Sequence, residues 1–270
     1  MEERGKIYWH GAFYEALQLE LHQYKEWLTF DDEYRLSEEA LRMDVLVVKK
    51  NKEVQIEKNI GRIFKRHNIF EYKSETDNFS LWDYNKVLGY AFMYSSFEKV
   101  PMSDITISIA LTIFPRELIR ILENERGFSV QKLDNGIHYI DGDVVPIQIL
   151  ESKNLPAEEN LFLRNLRSNL SGEDMLKTLQ LYKERKPLSE KDVFLDRLLK
   201  ANPGAFEEAM DMSEAVKEIF LEGAEKNGWL VERDIENLKA IAKRMLLRGY
   251  SAEEVAETTE LAISVVKNLM

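Results

Sequence analysis

The sequence contains no cysteine, which removes disulfides, thiolate metal sites and cysteine nucleophiles together. Any metal must therefore be held by oxygen or imidazole. Only four histidines occur. His10 and His22 fall on an expected first helix, His67 beside an expected strand and His138 on a hairpin strand, and no two of them have metal-ligand spacing. No stretch approaches the roughly 20 apolar residues that span a bilayer, and the charged opening from Met1 to Lys6 lacks a signal-peptide pattern. The expectation is a cytoplasmic protein with no membrane partner. Basic charge is also short: 37 Lys and Arg against 48 Asp and Glu, a net charge of -11, is a poor overall match to a phosphate-rich partner. There is no long-period repeat and no low-complexity linker.

What is present is a folding composition, 44% apolar and 31% charged over 270 residues, long enough for one domain with a smaller region appended. The acidity is uneven. From Leu41 to Lys73, nine Lys and Arg stand against four Asp and Glu, a local basic excess.

Apolar spacing from Tyr8 to Leu28 predicts an amphipathic helix. Strands are expected at Met43–Val48 and His67–Lys73, with extended character between Val54 and Phe64. Ser80 with Asp83 predicts a capping box for a helix running to Phe97 and closed by Pro101. A strand at Ile105–Ile113, a helix from Pro115 to Glu123, a type I′ hairpin at Asn135-Gly136 and a strand at Val144–Leu150 follow. From Pro156 onward only helices are expected, at 158–166, 172–183, 188–199, 212–225 and 235–247. Ser251 and Glu254 then cap a short helix, and Ile263, Val266 and Leu269 line a last one. These divide the chain into an α/β domain over residues 1–155 and a helical C-terminal region over 156–270.

Two carboxylates and a lysine can hydrolyse a phosphodiester, the acids holding Mg²⁺ or Mn²⁺ while the lysine orients water or steadies developing charge. Asp44 stands in the apolar strand Met43-Asp44-Val45-Leu46-Val47-Val48, and Glu71 and Lys73 alternate onto one face of Ile69-Phe70-Glu71-Tyr72-Lys73. Two other Glu-x-Lys triplets are set aside. Glu151-Ser152-Lys153 has its nearest preceding acid, Asp143, about 26 Å away along a strand, and Glu184-Arg185-Lys186 ends a helix, where such pairs are solvated.

This order of helix, Asp on a strand, Glu-x-Lys on the next strand, then helix resembles the PD-(D/E)XK nuclease superfamily, and more narrowly its Rpn-like recombination-promoting nuclease and transposase group. Met43 stands where the family name has proline. The resemblance covers about Tyr8 to Leu150. It implies a restriction-endonuclease-like α/β core, a mixed central sheet flanked by helices, followed by an all-helical C-terminal region. It also implies divalent-metal-dependent DNA cleavage connected with recombination or mobile elements. Asp44 and Glu71 would be metal ligands, the Tyr72 carbonyl a third, and Lys73 the water-positioning residue. A first-helix glutamate joins the metal shell in some members, and Glu15, ahead of Glu20, is the matching position. Lys86 and Tyr90, with Tyr94, form a helical stripe that could contact substrate, though such stripes are more often core. Paired cuts in a duplex would call for a homodimer. The C-terminal helices around Thr258-Thr259-Glu260 have a helix-turn-helix rhythm but few groove-reading cations, which favours an interaction or oligomerisation tail. The competing reading is the same fold without catalysis, as a nucleic-acid-binding or protein-interaction module, which the acidic surface favours.

Overall fold

The computed structural model describes residues 9–31, 46–51, 54–74, 77–185 and 193–213 and, toward the C terminus, 239, 242–243, 245–247, 251–259, 261 and 263–269. The chain divides into two compact units, residues 1–216 and 217–270.

The first unit is α/β, built on a seven-stranded mixed sheet flanked by helices, with strand order β1-β2-β3-β4-β7-β6-β5. Its strands are β1 (Leu28–Asp31), β2 (Leu46–Lys50), β3 (His67–Lys73), β4 (Ile105–Leu111), β5 (Ser129–Asp134), β6 (Ile137–Asp141) and β7 (Ile147–Glu151). β3, β4 and β7 run parallel to one another, and the remaining neighbours are antiparallel. Helix α1 (His10–Glu20) precedes the sheet, and α2 (Leu81–Glu98) and α3 (Arg116–Asn124) connect its parallel strands. After it come α4 (Ala157–Arg164), α5 (Gly172–Arg185), α6 (Val193–Ala201) and α7 (Pro203–Met212).

β4 occupies the middle of the sheet and is buried along its whole length, as a parallel strand covered on both faces must be. Its alternation of Ile with Thr and Ser therefore does not mark a wet face. Thr106 donates to Asn68 Oδ1, while Gln148 Nε2 donates to Ser108 Oγ at 2.7 Å and to the Ile60 carbonyl at 2.8 Å. Buried polar groups are tolerable when bonded in this way. The opposite face carries Ile107, Ile109, Ile147 and Ile149 into an apolar cluster with Tyr84, Val87, Ala91 and Tyr94 of α2 and Leu118 and Leu122 of α3.

The first helix is shorter than its apolar spacing suggests. It ends at Glu20, a 3-10 turn follows at His22–Tyr24, and β1 begins at Leu28. Tyr24 and Leu28 keep the spacing for other reasons: the Tyr24 hydroxyl accepts the amides of Glu57 and Lys58, and Leu28 pairs with Lys50. Residues 54–64 form no strand but a loop with a 3-10 turn at Asn59–Gly61 that buries Ile56, Ile60 and Phe64. The Asn135-Gly136 hairpin closes with only Gly136 at positive φ (+70°) and a register shift between Lys132 and Asp134. It is therefore not type I′, which needs two such residues.

Helices do replace strands after residue 155, yet the compact unit continues to 216. α4 and α6 pack on α1, and α5 packs on α7. Glu15 Oε2 accepts the Phe194 amide at 2.7 Å, and Glu20 Oε1 accepts the amides of Phe162 and Leu163. α4 is kinked at Asn160, so Glu20 satisfies amides of the segment after the kink. α7 was not anticipated, and most of the expected helices 212–225 and 235–247 lie outside the described residues.

In the second unit, helices α8 (Ala252–Thr259) and α9 (Ile263–Lys267) bury Ala252, Val255 and Val266 with Ala242. The expected capping box forms: Ser251 Oγ accepts the Glu254 amide at 3.2 Å, and Glu254 Oε2 accepts the Ser251 amide at 2.9 Å.

Candidate active site

β3 runs His-Asn-Ile-Phe-Glu-Tyr-Lys, and strand alternation sorts its side chains. Phe70 and Tyr72 face α1, where the Tyr72 ring stacks on Phe13 at 4.7 Å. Ile69 joins the cluster against α2, and Glu71 and Lys73 share its face. Glu71 is buried at 4% exposure. Lys73 Nζ lies 3.9 Å from Glu71 Oε1, beyond hydrogen-bond reach, and 3.1 Å from Asp83 Oδ1.

Asp83 reaches Lys73 because of how α2 starts. Ser80 Oγ accepts the Asp83 amide at 3.3 Å, and Asp83 Oδ2 accepts the Ser80 amide at 2.9 Å and the Ser80 hydroxyl at 2.6 Å. This reciprocal cap fixes the carboxylate in the first turn of the helix, where the helix dipole also favours negative charge. Burial pushes the Asp83 carboxyl up, but the Ser80 hydrogen bonds and Lys73 outweigh it and hold the group below the usual carboxylate range. Sequence reasoning saw Asp83 only as a cap. The signal for its second role was its place in the first turn after the Glu-x-Lys strand.

Asp44 lies outside the described residues. Two positions after it β2 begins, and β2 pairs antiparallel with β3, Leu46 opposite Phe70. Tyr72 directs its ring away from Glu71, so only its backbone could serve the same site. Glu15 is buried and bonded to the start of α6, on the α1 side of the sheet, so the structure does not bring it to Glu71. Glu20 is committed as well, ion-paired to Lys58 at 3.0 Å. On α2, exposed Lys86 sits 5.4 Å from the Tyr90 ring centre, and Tyr90 is half-buried against the core. Tyr94 is fully buried, its hydroxyl 2.7 Å from His67 Nδ1. The stripe is thus graded from solvent into core.

Much of the basic segment is used internally. Lys49 pairs with Asp31 at 2.8 Å, Lys58 with Glu20, and Lys65 donates to the Ser103 carbonyl at 2.7 Å. Lys267 of α9 lies 3.7 Å from Glu253. Among the described residues, no group of three or more His, Asp or Glu side chains gathers as a metal site, and no helix is long and apolar enough to cross a membrane. Comparison with protein-family models, curated proteins and solved structures finds no match.

Proposed function

We propose that this chain is a divalent-metal-dependent endonuclease that hydrolyses DNA phosphodiester bonds in the cytoplasm, with Asp44, Glu71 and Lys73 as its working residues. The observation that carries the reading is the end of β3. A buried carboxylate and a partly shielded ammonium share one face there, on the strand paired with the one that follows Asp44.

The donor chemistry fits Mg²⁺ or Mn²⁺, hard cations that take carboxylate oxygens. Glu71, with Asp44, would hold the ion. Bound there, it supplies Lewis-acid polarisation of a phosphoryl oxygen and a more acidic water. The protein's own contribution is positional. Glu71 presents its carboxylate from a rigid strand. Asp83 holds the Lys73 ammonium in place at 3.1 Å, and Lys73 orients the attacking water and offsets charge developing on the phosphoryl oxygens.

With Mg²⁺ or Mn²⁺ the purified protein is expected to nick supercoiled plasmid, to stop on chelation, and to lose cleavage in both Asp44→Ala and Lys73→Ala. Wild-type protein inert on plasmid and single-stranded DNA, with no Asp44-dependent metal binding by calorimetry, would overturn the reading and leave a non-catalytic binding module.

A further inference from the structure

A cavity of about 380 Å³ opens where the β5–β6 hairpin, the end of β7 and the start of α3 meet, and Phe114, Arg116, Lys132, His138, Glu151 and Arg164 are among its lining residues. Three cations line it with one carboxylate, Glu151, although the chain as a whole carries -11. Arg164 is held in place, its Nη1 donating to the carbonyls of Lys153 at 2.9 Å and Leu155 at 2.7 Å. Arg116 and Lys132 are exposed, and neither makes an ion pair with a described residue. His138 packs against Phe114 at 4.4 Å, and burial pushes its imidazole down, so it is neutral near pH 7.

Register ties this cavity to the candidate active site. Lys132 pairs with His138, His138 with Ile149, Ile149 with Ile109 and Ile109 with Glu71. Paired residues share a face, so Lys132, His138 and Glu71 lie in one row on one side of the sheet. The next row reads Lys73, Leu111, Glu151. At about 4.8 Å per strand, the cavity begins roughly 10 Å from the Lys73 position and His138 lies roughly 14 Å from Glu71.

The geometry points to a phosphate-binding subsite: Arg116, Lys132 and Arg164 hold a backbone phosphate of the nucleic-acid strand whose scissile linkage lies at Glu71 and Lys73. This rests on the nuclease reading for the identity of the strand. It gives an acidic protein a local means of holding a polyanion, and guanidinium groups suit phosphate oxygens.

The test is fluorescence anisotropy with a labelled 20-base-pair DNA duplex in the presence of chelator, so that binding is read without cleavage. Arg116→Glu with Lys132→Glu is compared with Lys25→Glu with Lys177→Glu, an exposed pair elsewhere that changes net charge equally. The subsite pair is expected to weaken binding at least tenfold. It should also flatten the slope of log affinity against log salt by about one, near 0.9 for the one lost phosphate contact. The control pair should bind as the wild type does. Unchanged affinity in the subsite pair, or equal loss in the control pair, overturns the subsite even if the enzyme cleaves. Inorganic phosphate binding as tightly as the duplex would also overturn it, in favour of a free-anion site. Protein that binds through these residues yet never cleaves would overturn the nuclease reading alone.

Discussion

Glu71 and Lys73 meet on one face because strand side chains alternate, and Asp83 joins them because a capping box locks its rotamer. Replacing Asp83 by Asn should cost about 1 kcal/mol of stability through the weakened cap and should lower cleavage less than Lys73→Ala does. The pH dependence has a defined sign. The Asp83 carboxyl is held below its unfolded value, so its contribution is complete above about pH 4 and is lost as pH falls through the lower folded value. Denaturant midpoints between pH 2 and 5 should therefore converge for wild type and Asp83→Asn at the acid end. His67 behaves differently. Burial, with Lys49 and Arg66, pushes its imidazole down, so the unfolded chain takes up the proton first and stability falls as pH drops below about 6.5. The stability gap between wild type and His67→Asn should narrow from pH 7.5 to 5.5.

At the level of elements, β3 was legible because a short run of strand-forming residues is a local signal, and it begins and ends at the residues that the pattern marks. The capping boxes at Ser80 and Ser251 were legible for the same reason. β1 was not, because Tyr24 and Leu28 keep helical spacing while serving a loop and a strand. Nor was the cationic cavity, whose Arg116, Lys132 and Arg164 are scattered in sequence and gathered only by the fold. The contiguous basic run that drew attention instead supplies internal ion pairs. Gly136 shows what the hairpin demands. A Cβ there would meet the Glu151 carbonyl oxygen at 2.7 Å and the Leu155 nitrogen at 2.8 Å, at a φ of +70°. Gly136→Ala should cost about 2 kcal/mol or more, read as a lowered melting temperature.

For the whole molecule, the first unit extends past residue 155 because helices α4 and α6 pack on α1. α1 is covered by α4 and α6, and its buried Glu15 and Glu20 spend their oxygens on Phe194, Phe162 and Leu163. A chain truncated at residue 155 should therefore fail to fold, leaving two carboxylates without those amides. Glu20→Ala alone should cost about 3 to 5 kcal/mol, since it removes the buried carboxylate that pairs with Lys58 and accepts the amides of Phe162 and Leu163; chemical denaturation checks this.

The most direct test of the central claim is the rate of plasmid nicking under Mg²⁺ by wild type and Glu71→Gln, both confirmed folded by their melting transitions. A fall of about 10³-fold in the variant, with no cleavage by either after chelation, is the predicted result. Equal rates in the two proteins, or cleavage that persists in chelator, would contradict it.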